Sequence, residues 1–356
     1  MGDRYATRMA KLASTGSQVT KRSNDDVVEI AIASYPEVWR AAVHGLTDMF
    51  AVAQRHDHQQ STSERRRLRV SHYELDEAGA VSKVFDTHPS ETQRKPVAVV
   101  LPPTMGDELP FGESMGGFPE WIRTHHQAGA IICSACGGAS LLAQTGLLSG
   151  RSATTHWLHG EAIAKRHPDV RIDTDKMLLD EGDIITAGGM MAWTDLGLRL
   201  IDRLLGSNVM LATARFMLID PGAREQSFYS KFAPRLDHGD TVILEIQHWL
   251  HGADAKGLGV PALAERAGLG ERTFLRRFQK ATGINPTDYA QRLRIAKARD
   301  LLEQSSLAIE QIAWASGYED ANAFRKTFRK IVGVSPGEYR MRFSIVGPKT
   351  TDEAEF

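Results

Sequence analysis

In the last third of the chain, apolar positions recur at helical spacing in two stretches of the same design. Leu258 to Ala267 and Ile309 to Ser316 each predict a short helix. Gly268 and Gly317 close them, where a left-handed backbone costs least. The next predicted helices, Glu271 to Thr282 and Asp320 to Val332, bury Phe274 and Phe278, or Phe324 and Phe328, one turn apart. Leu263 and Gly268 match Ile312 and Gly317. Phe274, Phe278, Gly283, Pro286 and Tyr289 match Phe324, Phe328, Gly333, Pro336 and Tyr339 after one extra residue in the second turn. One local structure is built twice. Between the copies, Pro286 to Gln304 predicts a single helix, with Leu293, Ile295, Ala296, Ala298, Leu301 and Leu302 as its apolar stripe. At about 28 Å, it could hold two groove-reading helices about one DNA turn, roughly 34 Å, apart.

The first two thirds read differently. Val27 to Ser34, Leu68 to Tyr73, Pro96 to Leu101 and Asp183 to Ala187 are short runs rich in β-branched residues, as in buried strands. Trp39 to Gln54 and the stretch opening at Thr194 read as helices. "GAIICSACGGASLLAQTGLL" reads as strand, sharp turn, helix. Alternation of this kind predicts a parallel sheet with helices on both faces. The expected fold is α/β, a doubly wound, flavodoxin-like sheet domain, followed by an all-α domain with two helix-turn-helix units.

Charge sharpens the second half of that picture. Lys256 to Arg342 holds 16 Lys and Arg against 9 Asp and Glu, in a chain of net charge −1. A basic block on an acidic body suits a polyanion partner. Helix, glycine turn and basic amphipathic helix form the helix-turn-helix pattern, so double-stranded DNA is the expected partner. The only cysteines, Cys133 and Cys136, give no disulfide framework, which points to a reducing cytoplasm. Cys136 lies at the turn of Ser134-Ala-Cys136-Gly-Gly-Ala139, a nucleophile-elbow candidate whose helix N-terminus would favour a thiolate. His156 is the nearest candidate partner for it in the sequence. His44, His125, His126 and His159 show no complete metal-ligand spacing, so no metal or cofactor is expected. No apolar run is long enough to span a bilayer.

"GERTFLRRFQKATGINPTDY", "RLRIAKARDLLE" and "IAWASGYEDANAFRKTFRKIVGVSPGEYR" together resemble the AraC family of transcription regulators. The resemblance implies that the second helix of each unit enters a major groove, and that positions flanking the buried Phe reach base edges. Those are Arg272 and Arg276, then Asn322 and Lys326. Arg suits guanine and Asn suits adenine, while Arg277, Arg325, Arg329 and Lys330 are read as phosphate contacts. "SACGGASLLAQTGLLSGRSATTHW", "DIITAGGMMAWTDLGLRLI" and "REQSFY" resemble the class I glutamine amidotransferase-like domain of GlxA-type regulators. That resemblance implies a sensor of a small nitrogen-containing metabolite and a homodimer, with an effector pocket at Cys136, Gly137 and His156. Many relatives of that domain pair the elbow cysteine with a Glu just after the first strand. Here Glu37 is the only carboxylate there, and it falls a few residues early, so no catalytic residue is assigned. A cysteine-dependent hydrolase or hydratase with a nucleic-acid-binding tail is the alternative, and a Cys133–Cys136 redox sensor a third. The expected divisions are a disordered extension at 1–26 (or a transit peptide), a sensing domain at 27–230, a linker at 231–240, a DNA-binding domain at 241–343 and a flexible tail at 344–356.

Overall fold

The structure is a computed structural model that describes residues 27–60, 67–89, 94–106, 109–221, 225–230, 232, 234, 236, 238–252 and 259–346. The extension expected at 1–26, most of the tail and part of the linker lie outside the described residues. The chain forms two compact units, Met1–Arg224 and Glu225–Phe356.

In the first unit, β1 (Val27–Ala33), β2 (Arg67–Leu75), β4 (Ala98–Leu101), β5 (Ile131–Ala135) and β9 (Ile184–Ala187) are parallel, in spatial order β2-β1-β4-β5-β9. The second parallel strand thus lies outside the first, the flavodoxin-like doubly wound order. β3 (Val81–Asp86) and β8 (Leu178–Asp180) add antiparallel edges. The apolar-run criterion does not find these two, because edge strands need bury only part of their surface; Val84 and Phe85 are exposed. Strand residues alternate between two cores. Ile30, Ile32 and Cys133 pack against α1 (Arg40–Gln60), α5 (Trp193–Leu205) and α6 (Ser207–Met217). Ala31, Ala33 and Ile132 pack against α2 (Phe118–Gln127), α3 (Gly138–Gln144) and α4 (Gly160–Arg166). β6 (Ser152–Ala153) and β7 (Arg171–Ile172) pair separately.

The second unit is helical: α7 (Thr241–Gly252), α8 (Val260–Arg266), α9 (Glu271–Thr282), α10 (Pro286–Gln304), α11 (Ile309–Ala315), α12 (Ala321–Val332) and α13 (Pro336–Phe343). α9 and α10 have the bounds expected from the sequence. Asp320, expected as the first residue of α12, is its N-cap and accepts from the amides of Asn322 and Ala323. Gly268 and Gly317 adopt positive φ and end their helices as predicted, and Gly283 and Gly333 do the same after α9 and α12. Asn285 caps α10, and Ser335 with Glu338 forms a capping box on α13. Two cores result. One gathers Leu263, Phe274, Phe278 and Tyr289; the other gathers Ile312, Phe324, Phe328 and Tyr339.

The boundary between units corrects the expected division at Ser230. Glu225–Tyr229, most of the "REQSFY" stretch assigned to the first domain, belongs to the second unit, because Phe228 is buried in its core with Phe328 and Val332. The tail expected from Ser344 also begins bound, with the Ile345 amide donating to the Glu303 carbonyl at 2.9 Å.

A buried ion cluster ties β1 to the β3 edge. Glu29 and Arg69 are each 1% exposed. Lys83 Nζ donates to Glu29 Oε1 at 2.8 Å and to Asp86 Oδ2 at 3.1 Å, and Arg69 grips both Asp86 oxygens. Burial pushes the Asp86 carboxyl up, but bonds from Arg69, the His88 amide and Lys83 outweigh it and hold the group well below the usual carboxylate range. A depressed folded-state pKa stabilises fully above the unfolded value, about 3.9, and the contribution is lost as pH falls below it. Asp86→Asn is therefore expected to destabilise the protein at pH 7. The gap to wild type should narrow as pH drops from about 5; urea denaturation across pH measures it, and a pH-independent gap would contradict the assignment.

Candidate functional site

In α9, Phe274 and Phe278 are fully buried, and this fixes which way the rest of the helix faces. Arg272, Arg276 and Lys280 are exposed as a consequence. Phe324 and Phe328 do the same for α12, leaving Asn322, Arg325, Lys326, Arg329 and Lys330 exposed. The four residues read as base-facing thus lie on the outer faces of two equivalent helices.

The four residues read as phosphate contacts are not alike. Arg277 is half-buried, and its Nε and Nη2 donate to Asp240 at 2.9 and 2.7 Å. These bonds hold the Asp240 carboxyl below its ordinary value. Asp240 also accepts from the Ile243 amide at the start of α7. Arg277 therefore joins α9 to α7, a structural task that the sequence reading missed because Asp240 lies 37 residues away. Arg325 pairs with Glu310 of α11, half-exposed on both sides. Arg329 is 3.8 Å from Glu338, a loose surface pair that a phosphate could replace at little cost.

In the first unit, Cys136 follows β5 with φ 51°, a left-handed conformation that places its side chain at the sharp turn into α3. Its amide donates to the Ala187 carbonyl at 2.9 Å, and Thr155 Oγ1 donates to its carbonyl at 2.7 Å. The two glycines that follow are required by crowding: a β-carbon at Gly138 would collide with the backbone oxygens of Leu101 and Pro102, and one at Gly137 with Thr104. The thiol itself is 1% exposed and lies 3.8 Å from Met190 Sδ. Burial pushes it up to about 11, against the smaller lowering by the Gly137 amide. The expectation of a favoured thiolate is therefore corrected: desolvation outweighs the helix start.

Neither proposed partner is bonded to that thiol. Glu37 has φ 60°, is exposed, and uses its carbonyl to accept from the Met105 amide and the Thr104 hydroxyl. His156 is half-buried; its Nδ1 accepts from the Leu158 amide at 3.1 Å, and its ring lies against those of Trp157 and His159. Burial, then His159, keeps it less basic than an ordinary histidine. Thr155, one residue earlier, is what contacts the elbow. Cys133 is packed in the opposite core, its thiol also raised by burial, and both cysteines are free. Among the described residues, no group of three or more His, Cys, Asp or Glu could hold a metal ion, and no helix is long and apolar enough to cross a membrane. A neutral, enclosed thiol reacts slowly. Native protein at pH 7.5 is expected to take up iodoacetamide at Cys136 at least tenfold more slowly than urea-unfolded protein, read by mass spectrometry; native labelling at the unfolded rate would reinstate the nucleophile.

Comparison with known proteins agrees with both units. Residues 263–342 match a helix-turn-helix domain family, and residues 92–203 match the DJ-1/PfpI family. The HTH-type transcriptional regulator GlxA of Rhizobium meliloti is 29% identical over 225 residues, which is 62% of this chain and 68% of that protein. The HTH-type transcriptional regulator CdhR of Pseudomonas aeruginosa is 27% identical over 233 residues, 65% of this chain and 69% of that one. Among solved structures, the DNA-binding domain of AdpA in complex with a target DNA is 33% identical, covering 28% of this chain and 91% of that chain, with a TM-score of 0.28. GlxA and CdhR are both transcriptional regulators by name. The chain thus carries an AraC-type helix-turn-helix domain behind a DJ-1/PfpI domain, and it is similar to the transcriptional regulators GlxA and CdhR.

Proposed function

We propose that α9 and α12 enter successive major grooves of one duplex, with Arg272, Arg276, Asn322 and Lys326 at base edges and Arg325, Arg329 and Lys330 on phosphates. The observation that carries this reading is the fully buried Phe pair in each helix, which leaves the cationic side chains on the opposite, exposed faces. Arg277 contributes to the interface by holding α9 against α7, with Nη1 as its remaining donor toward a phosphate. The first unit is a sensor for a small nitrogen-containing metabolite at the elbow of Cys136, Gly137 and His156. It retains a tightly built turn yet presents no ionised nucleophile, which suits binding without turnover. The regulator acts as a homodimer in the cytoplasm, the ligand altering dimer geometry and so the spacing of half-sites.

Three measurements test this. Arg276→Ala is expected to cost about 1–3 kcal/mol at one base pair and to relax preference there, read by titrating duplexes that differ only at single positions. Equal loss on all of them would move Arg276 to the backbone class. Arg329→Ala should instead weaken every duplex alike and reduce the slope of log affinity against log salt by about one. For the sensor, thermal denaturation against a panel of amino acids and amines is expected to find a ligand that adds about 2.7 kcal/mol of stability at a hundred times its Kd; no shift across the panel would count against the effector class.

A further inference from the structure

The chain enters the second unit through a short strap that touches both of its cores. Gln226–Phe228 forms one tight helical turn. The Phe228 ring is buried with Phe328 and Val332, under the Arg342 guanidinium at 5.7 Å. It fills the space beside Gly333, where a β-carbon would lie 2.5 Å from Phe228 Cε1. Ser227 Oγ donates to the Val332 carbonyl at 3.1 Å. Only four residues further on, Phe232 packs edge-on to Tyr289, with ring centroids 5.2 Å apart, in the core of the other helix-turn-helix unit.

Arg299 locks the strap to the helix between the units. It sits on the buried face of α10, 6% exposed, one turn after Ile295 and one before Leu302. Nη2 donates to the Phe228 carbonyl at 2.7 Å, Nη1 to the Ser230 carbonyl, and Nε to Tyr339 Oη of α13 at 2.9 Å. Tyr339 in turn donates to Glu303 of α10 at 2.6 Å. Each of the three guanidinium nitrogens therefore donates to a group of the protein itself. A planar fork fixes two carbonyls and a hydroxyl at once; a lysine ammonium is a point charge on a flexible stem and cannot reproduce that geometry.

We propose that Arg299 and the strap residues Glu225–Ser230 and Phe232 form a brace that sets the placement of α9 relative to α12, making Arg299 a positioning residue for two-groove binding although it touches no DNA. The inference rests on the reading that both helix-turn-helix copies of the second unit engage one duplex. Two linked modules gain affinity over either alone only as far as their linkage holds them at the right span. A looser brace lowers that gain and leaves each module's own contacts intact.

The test uses the full chain. A duplex is selected from a random-sequence pool by the wild-type protein, and two further duplexes carry one scrambled half each. Arg299→Lys is expected to lose at least tenfold in affinity on the intact duplex and less than twofold on each half-scrambled one, with unchanged helix content by circular dichroism. Phe228→Leu, a milder change in the same seat, should shift in the same direction by a smaller factor. Equal losses on all three duplexes, or none, would overturn the brace. If the wild type itself binds intact and half-scrambled duplexes equally, the two-groove reading fails and the brace with it. A wild-type preference that survives both Arg299→Lys and Phe228→Leu overturns the brace alone.

Discussion

The helical unit depends on one repeated constraint, a pair of phenylalanines one turn apart that must leave water. Burying Phe274 with Phe278, and Phe324 with Phe328, removes large apolar surfaces and fixes the rotation of α9 and α12 about their own axes. Cations on the remaining positions then have no choice of face. Exposure thus follows from packing: the core decides where Arg272, Arg276, Arg325 and Arg329 point, and none of these four belongs to it. Tyr289 and Tyr339 extend the same logic, each meeting the second Phe of its unit edge-on at 5.3 and 5.6 Å and closing the core from the following helix.

Much of this was legible because it is periodic and local. Helix bounds in α9 and α10, glycine stops at Gly268 and Gly317, and caps at Asn285 and Ser335 all follow from residues a few positions apart. What escaped the sequence is contact between distant residues. Asp240 takes Arg277 out of the fully solvated face, and nothing in the spacing of α9 announces it. Arg299 was readable in principle. It falls on the buried stripe of α10 between Ile295 and Leu302, where a cation demands partners. Those partners, the Phe228 and Ser230 carbonyls, lie about 70 residues earlier in a stretch that resembles the end of the other domain. The edge strands β3 (VSKVFD) and β8 (LLD) escaped for a different reason: polar and charged residues interrupt them, so neither gives an apolar run.

The elbow shows how a shared shape can carry different chemistry. A left-handed cysteine and two glycines under the carbonyls of Leu101 and Pro102 make a turn suited to a nucleophile. Whether it is one depends on solvation. With the thiol enclosed beside Met190 and neither Glu37 nor His156 bonded to it, the neutral form is favoured and the turn serves as a rigid edge where the sheet ends. That edge lies at the carboxyl ends of parallel strands, where doubly wound sheets collect ligands. Thr104 and Thr155 line the turn, a pair of hydroxyl groups that a search for ionisable partners passes over.

The seat of Phe228 beside Gly333 has a consequence for the duplication itself. At the matching position of the first copy, a β-carbon on Gly283 would meet nothing within 4 Å. One glycine only ends its helix; the other also makes room for a ring. The doubled module has thereby acquired polarity, a front and a rear, and its halves are no longer interchangeable parts. A chimera that transposed them would keep both recognition surfaces and lose the socket by which the chain is anchored.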